Sequence, residues 1–128
     1  MTVPPLVLVV DDDPDILDAI CDIVLAEGYR VVRARNGLEA LERVRVEWPS
    51  LILLDLMMPV MDGLSFAHAL REGYRDHHIP IVVISADGNP ARAAAVGAQG
   101  YLAKPFDIDT LLAHIANMTS GASPAAPA

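Results

Sequence analysis

Five short apolar runs alternate with five stretches patterned for helix, and that alternation leaves few folds open to this chain. The runs are residues 6–10, 30–34, 51–55, 80–85 and 100–103. Most are dense in Val, Ile and Leu, as strands buried on both faces should be. Strands separated by helices imply a parallel sheet covered on both sides. The right-handed crossover then restricts the fold to the doubly wound α/β class. The pattern alone does not order the strands.

The helices carry their own punctuation. Asp13 is placed to cap a helix whose first residue is Pro14, and Ile16, Ile20, Ile23 and Val24 recur at helical spacing up to Gly28. Asn36-Gly37 reads as a turn. The helix after it turns Leu38, Leu41, Val44 and Trp48 to one face and stops at Pro49. Residues 59–63 read as a loop and 64–71 as a third helix. Asn89-Pro90 opens a short alanine-rich helix closed by Gly97. A last helix over about 107–118 sends Ile108, Leu111, Leu112 and Ile115 inward. Residues 1–118 thus read as one domain, and 119–128, small residues and proline, as a disordered tail or linker stub.

A chain of 128 residues, 53% of them apolar, can bury one core. Its net charge of −8 argues against direct binding to nucleic acid or an anionic membrane and suits cations or basic partner surfaces. One cysteine, Cys21, excludes an internal disulfide framework, fits a reducing cytoplasm and reads as a partly buried thiol in the first helix. Residues 1–5 lack the basic start of a signal peptide, and the apolar runs are too short to span a bilayer. These features predict a cytoplasmic protein, in which the glycosylation triplet Asn117-Met118-Thr119 has no role.

Ligands of open parallel sheets sit beyond the carboxyl ends of the strands. Asp11, Asp12 and Asp13 follow the first strand, Asp55 ends the third, Ser85 ends the fourth and Lys104 follows the fifth. Asp13 is accounted for as a helix cap. Asp55 closes the run Leu-Ile-Leu-Leu, where a carboxylate needs a reason. Crowded carboxylates raise one another's pKa unless a cation intervenes. Mg2+ suits a site of few carboxylates and a phosphate oxygen, with Lys104 adding a point charge and Ser85 a hydroxyl donor. A carboxylate can take a phosphoryl group, and such transfer needs mainly positioning and charge neutralisation.

Four stretches carry a resemblance: Leu-Val-Val-Asp-Asp-Asp-Pro at 8–14, Leu-Ile-Leu-Leu-Asp-Leu-Met-Met-Pro-Val-Met-Asp-Gly at 51–63, Ile-Val-Val-Ile-Ser-Ala at 81–86 and Gly-Tyr-Leu-Ala-Lys-Pro-Phe at 100–106. In this order and spacing the chain resembles the receiver domains of two-component response regulators, chemotaxis regulators among them, over about residues 6–118. The resemblance implies a flavodoxin-like sheet of order 2-1-3-4-5. It implies Asp55 as phosphoacceptor, Asp12 with Asp11 and the Met57 backbone carbonyl as Mg2+ ligands, and Lys104 as the phosphoryl contact. Ser85 would be the switch hydroxyl and Tyr101 the switch aromatic, with the Lys104-Pro105 bond cis. Lys104 is predicted to pair with Asp55 before phosphorylation. The implied partners are a sensor histidine kinase or phosphotransfer protein, a downstream effector the sequence does not name, and a second copy in a phosphorylation-dependent dimer. The implied chemistry is a phosphoacceptor switch with weak self-catalysed phosphorylation and dephosphorylation, not a turning-over enzyme.

Two departures stand out. Between Ser85 and Lys104 the chain is short by roughly three residues, nearly a helical turn, which shortens the fourth helix. Met57 is apolar beside the phosphoryl position, with Asp87 on the other flank. Two rival readings are a receiver-like docking module that takes no phosphate, and an aspartyl-phosphate hydrolase of the haloacid-dehalogenase kind. The hydrolase needs a second acid two residues after the nucleophile, where this chain has Met57. His68, His77, His78 and His114 show no metal-type spacing, the Asp11–Asp15 run lacks the Gly and Glu of a calcium loop, and no Gly-rich phosphate loop is present.

Overall fold

The computed structural model describes residues 3–86 and 89–119. Ten elements alternate among the described residues: β1 (Leu6–Val10), α1 (Pro14–Ala26), β2 (Arg30–Ala34), α2 (Gly37–Val46), β3 (Leu51–Leu54), α3 (Gly63–Gly73), β4 (Ile81–Ser85), α4 (Pro90–Ala95), β5 (Gly100–Ala103) and α5 (Ile108–Thr119). The five strands form one parallel sheet in the order β2-β1-β3-β4-β5. This is the doubly wound, flavodoxin-like order that the family resemblance implies.

The two-residue period of the strands divides the core. Leu8, Val10, Ile52, Leu54, Ile81 and Val83 face one way, packed with Ala40 and Val44 of α2, Phe66 and Leu70 of α3, and Ala93 of α4. Val7, Val9, Leu51, Leu53, Val82 and Ile84 face the other, packed with Leu17, Ile20 and Val24 of α1 and Leu111 and Ile115 of α5. So α2, α3 and α4 cover one side of the sheet, and α1 and α5 the other. Strands β1, β3 and β4 are buried along their whole length, which is why their sequences do not alternate.

Local chemistry sets the helix starts. The Asp13 carboxylate accepts the N–H groups of Asp15 and Ile16, with Pro14 at the first helical position. Asn36 and Gly37 are a helix cap and first residue rather than a separate turn, since Asn36 Oδ1 accepts the Glu39 N–H at 2.9 Å. The Gly37 N–H donates to the Met61 carbonyl at 2.9 Å, and a Cβ on Gly37 would lie 2.7 Å from Met61 Cγ.

That close approach fixes the rotation of α2. Gly37, Ala40 and Val44 are buried, while Leu38, expected inward, is 52% exposed. The helix ends before Trp48, which packs its ring edge-on against Tyr74 and His77. Ile108, also expected inward, is exposed as the first residue of α5. Cys21 is fully rather than partly buried, and burial pushes its thiol pKa up. Helix α4 has six residues, the shortening the sequence predicts. Thr119, expected to open the tail, is instead the last residue of α5, and residues 120–128 lie outside the described residues.

Candidate functional site

The sheet delivers three acids to one point. Asp11 and Asp55 directly follow the adjacent strands β1 and β3, and the ladder continues through both. The Asp11 N–H donates to the Ala34 carbonyl at 3.1 Å and the Asp55 N–H to the Val10 carbonyl at 2.9 Å. Carboxylate oxygens of Asp11, Asp12 and Asp55 all lie within 4.8 Å of one another. Asp11 and Asp55 are buried, whereas Asp12 is exposed. Asp13 is spent on its helix and donates its own N–H to Asp11 Oδ1 at 2.9 Å.

Lys104 reaches this cluster from β5. Its Nζ lies 2.8 Å from Asp11 Oδ2 and 3.7 Å from Asp55 Oδ2. The expected pair with Asp55 is present, and Asp11 is a second and nearer partner that the sequence did not point to. The lysine backbone is fixed by its N–H to the Ser85 carbonyl at 2.9 Å, and the Lys104-Pro105 bond is cis.

Asp55 sits against protein on several sides. Its Oδ1 accepts the Met57 N–H at 3.2 Å. Gly63, at the start of α3, presses on its backbone. A Cβ there would stand 2.8 Å from the Asp55 carbonyl oxygen, so no larger residue fits without moving the Asp55 backbone. Burial, and next the charge of Asp11, push the Asp55 carboxyl up to about 6. Lys104 and the Met57 N–H act the other way but do not cancel this. A buried carboxylate held among like charges has a strong demand for a cation.

Ser85 is fully buried at the end of β4, and Tyr101 pairs with Val83 two residues before it. By the strand period Ser85, Val83 and Tyr101 face the α4 side of the sheet, where Tyr101 packs on the core with its hydroxyl buried. The Met57 side chain is 60% exposed at the mouth of the site. Asp87, the other residue expected to flank it, lies outside the described residues. The sequence reading missed Arg92 of α4, whose Nη1 is 3.5 Å from Met57 Sδ.

A family model described as the response regulator receiver domain matches residues 7–116. The chain belongs to that family. It is 33% identical to the polar-differentiation response regulator DivK of Brucella anthropi over 82% of this chain and 88% of that one. It is 40% identical to the sensor histidine kinase TmoS of Ectopseudomonas mendocina, over 91% of this chain but only 12% of the kinase. The receiver module thus matches both a small regulator nearly end to end and a small part of a large kinase. Among solved structures, it superimposes with a TM-score of 0.82 and 27% identity on the receiver domain of sensor histidine kinase PA1611 from Pseudomonas aeruginosa PAO1. That match covers 93% of this chain and all of the other, whose structure has a magnesium ion coordinated in the active site cleft. No helix among the described residues of this receiver domain is long and apolar enough to cross a membrane.

Proposed function

We propose that this receiver domain is a phosphoacceptor switch that takes a phosphoryl group on Asp55 from a sensor histidine kinase or phosphotransfer protein in the cytoplasm. The observation that carries the reading is the meeting of Asp11, Asp12 and Asp55 within 4.8 Å, with Lys104 alongside. An Asp55 oxygen attacks phosphorus as the donor's P–N bond breaks, and the electron pair stays on the departing imidazole nitrogen. Decay is the reverse demand on the same atom: water attacks phosphorus, the P–O bond to Asp55 breaks, and phosphate and a proton leave.

The donor set fits Mg2+. It is all hard oxygen and partly exposed through Asp12, and burial, then the charge of Asp11, push the Asp55 carboxyl up, a cost that a bound cation would relieve. Asp11, Asp12 and Asp55 would hold the ion, with the Met57 carbonyl as a further ligand, and it would supply neutralisation of charge on the phosphoryl oxygens. Lys104 supplies the fixed positive charge on the opposite side. Ser85 and Tyr101, on one face under α4, are the pair through which the modification alters the partner-binding surface. The downstream effector is a protein that reads this surface.

Intact-mass measurement after incubation with acetyl phosphate and Mg2+ tests the reading. One stable adduct on the wild type, and none on Asp55→Asn, is the expected result. No adduct on the wild type would indicate a docking module, and steady phosphate release would indicate a hydrolase. Asp12→Ala should keep the acceptor but weaken Mg2+ binding and slow the reaction. Unchanged Mg2+ affinity would remove Asp12 from the metal site.

A further inference from the structure

The six-residue α4 does more than shorten the fold, because it places a cation at the mouth of the acceptor site. The Arg92 guanidinium touches Met57 Sδ at 3.5 Å, and the Met57 N–H holds Asp55 Oδ1 at 3.2 Å. Arg92 is therefore one side chain away from the acceptor carboxylate. It also lines a groove of about 520 Å3 whose lining includes Asp12, Met57, Asp62 and Leu64, so the groove reaches the exposed acid of the cluster. Among the described residues lining that groove, Arg92 is the one cation. The far end of α4 is tied down by Arg71, whose Nη2 donates to the Val96 carbonyl, which holds the helix over the groove.

The charge balance gives Arg92 something to do. Lys104 lies closest to Asp11, so its charge is shared before any phosphate arrives. A phosphoryl group brings negative charge to a site that already gathers three carboxylates. A guanidinium presents a planar fork that matches phosphate oxygens, and the methionine between is unbranched and readily displaced.

We propose that Arg92 is a phosphoryl-recognition residue: it draws the anionic phosphodonor into the groove and, as Met57 swings aside, contacts the phosphoryl oxygens on Asp55. This rests on the phosphoacceptor reading above. With acetyl phosphate the Asp55–P bond forms as the P–O bond to acetate breaks, acetate leaving with the electron pair. Arg92 transfers no proton and binds only charge.

The test compares wild type, Arg92→Gln and Arg92→Lys with two donors at saturating Mg2+, reading adduct formation by intact mass. The donors are acetyl phosphate, doubly charged at neutral pH, and phosphoramidate, singly charged overall. Arg92→Gln should raise the half-saturating acetyl phosphate concentration by about three- to fivefold, the size of one part-exposed charge contact. It should slow phosphoramidate as well, whose zwitterion carries the same doubly charged phosphoryl group, and Arg92→Lys should recover most of the loss with both donors. A loss that Arg92→Lys does not recover would mean that Arg92 only shapes α4, and no loss with either donor would mean no contact; both overturn the inference while leaving the acceptor assignment intact. No adduct on the wild type with either donor would instead overturn the acceptor assignment, and this inference with it.

Discussion

The Lys104 ammonium sits 2.8 Å from Asp11 and 3.7 Å from Asp55, so one cation is shared by two acids of the cluster and held more closely by the first. Asp11 is 2% exposed and Lys104 largely covered, so the pair is a desolvated one. Removing one partner of such a pair leaves an uncompensated charge.

Lys104→Ala should therefore destabilise the metal-free protein by roughly 2–3 kcal/mol at neutral pH. Adding Asp11→Asn to that variant should recover most of the loss, because the two sites are coupled. Urea denaturation in EDTA across the four proteins measures this. Additive losses would dissolve the pairing. In the same variant Asp55 should still take phosphate, while the amide-shift difference between free and phosphorylated forms shrinks.

The site was legible because its acids and its lysine lie at strand ends, and parallel strands bring their ends to one edge whatever their order. What failed were facings that depend on contacts far along the chain. Leu38 keeps helical spacing with Leu41 and Val44, yet the close approach of Gly37 to Met61 turns it to solvent. Ile108 keeps the α5 pattern but falls on the opening turn. Arg92 could not be placed because its contact with Met57, 35 residues earlier, depends on where the shortened α4 lands. A single arginine in an alanine-rich helix following a shortened loop was the available signal.

Asp55 carries a pH signature. Its carboxyl is pushed up to about 6 in the folded metal-free protein, by burial first, against an ordinary value of 3.8. Between those values the folded state binds more protons than the unfolded one. The stability this gives is fully present below about 3.8 and is lost as pH rises through about 6. Asp55→Asn removes the charge, so in EDTA it should exceed the wild type by about 1–2 kcal/mol at pH 8, a figure reduced for solvent screening, with the gap closing near pH 4. Denaturation midpoints at both pH values decide it, and an equal gap at both would refute the assigned cause.

Val60 is a point of backbone strain beside the site. Its φ is +68°, and the Met61 N–H donates back to the Pro59 carbonyl at 2.7 Å, a three-residue γ-turn. A β-branched residue is poorly suited to this conformation, at a cost of about 1–2 kcal/mol. Val60 is 79% exposed, so little packing compensates. Val60→Gly should raise stability by about 0.5–1 kcal/mol, since glycine's greater unfolded-state freedom cancels part of the gain. A lower urea midpoint for the variant would show that the side chain has a packing role.

The lifetime of the phosphorylated state should rest on Met57. Decay requires water to attack phosphorus in line, opposite the Asp55 oxygen, along a path beside the residue two positions past the acceptor. Met57 offers that water no useful hydrogen bond, and it stands at the mouth of the site with the Arg92 guanidinium resting on its sulfur. When Arg92 moves onto the phosphoryl oxygens, Met57 still offers the line of attack only an apolar chain, so neither residue positions a water there as nucleophile. Asparagine at this position would be shorter and would present both a donor and an acceptor to a water molecule. Met57→Asn should therefore lose phosphate faster than the wild type, by about tenfold, equivalent to roughly 1.4 kcal/mol in the barrier. The measurement is phosphate release after rapid removal of the donor, at equal Mg2+, with Arg92→Gln as a parallel sample. If Met57 merely packs on the loop, wild type and Met57→Asn will decay together. A slower Met57→Asn would show that the methionine admits water rather than excluding it.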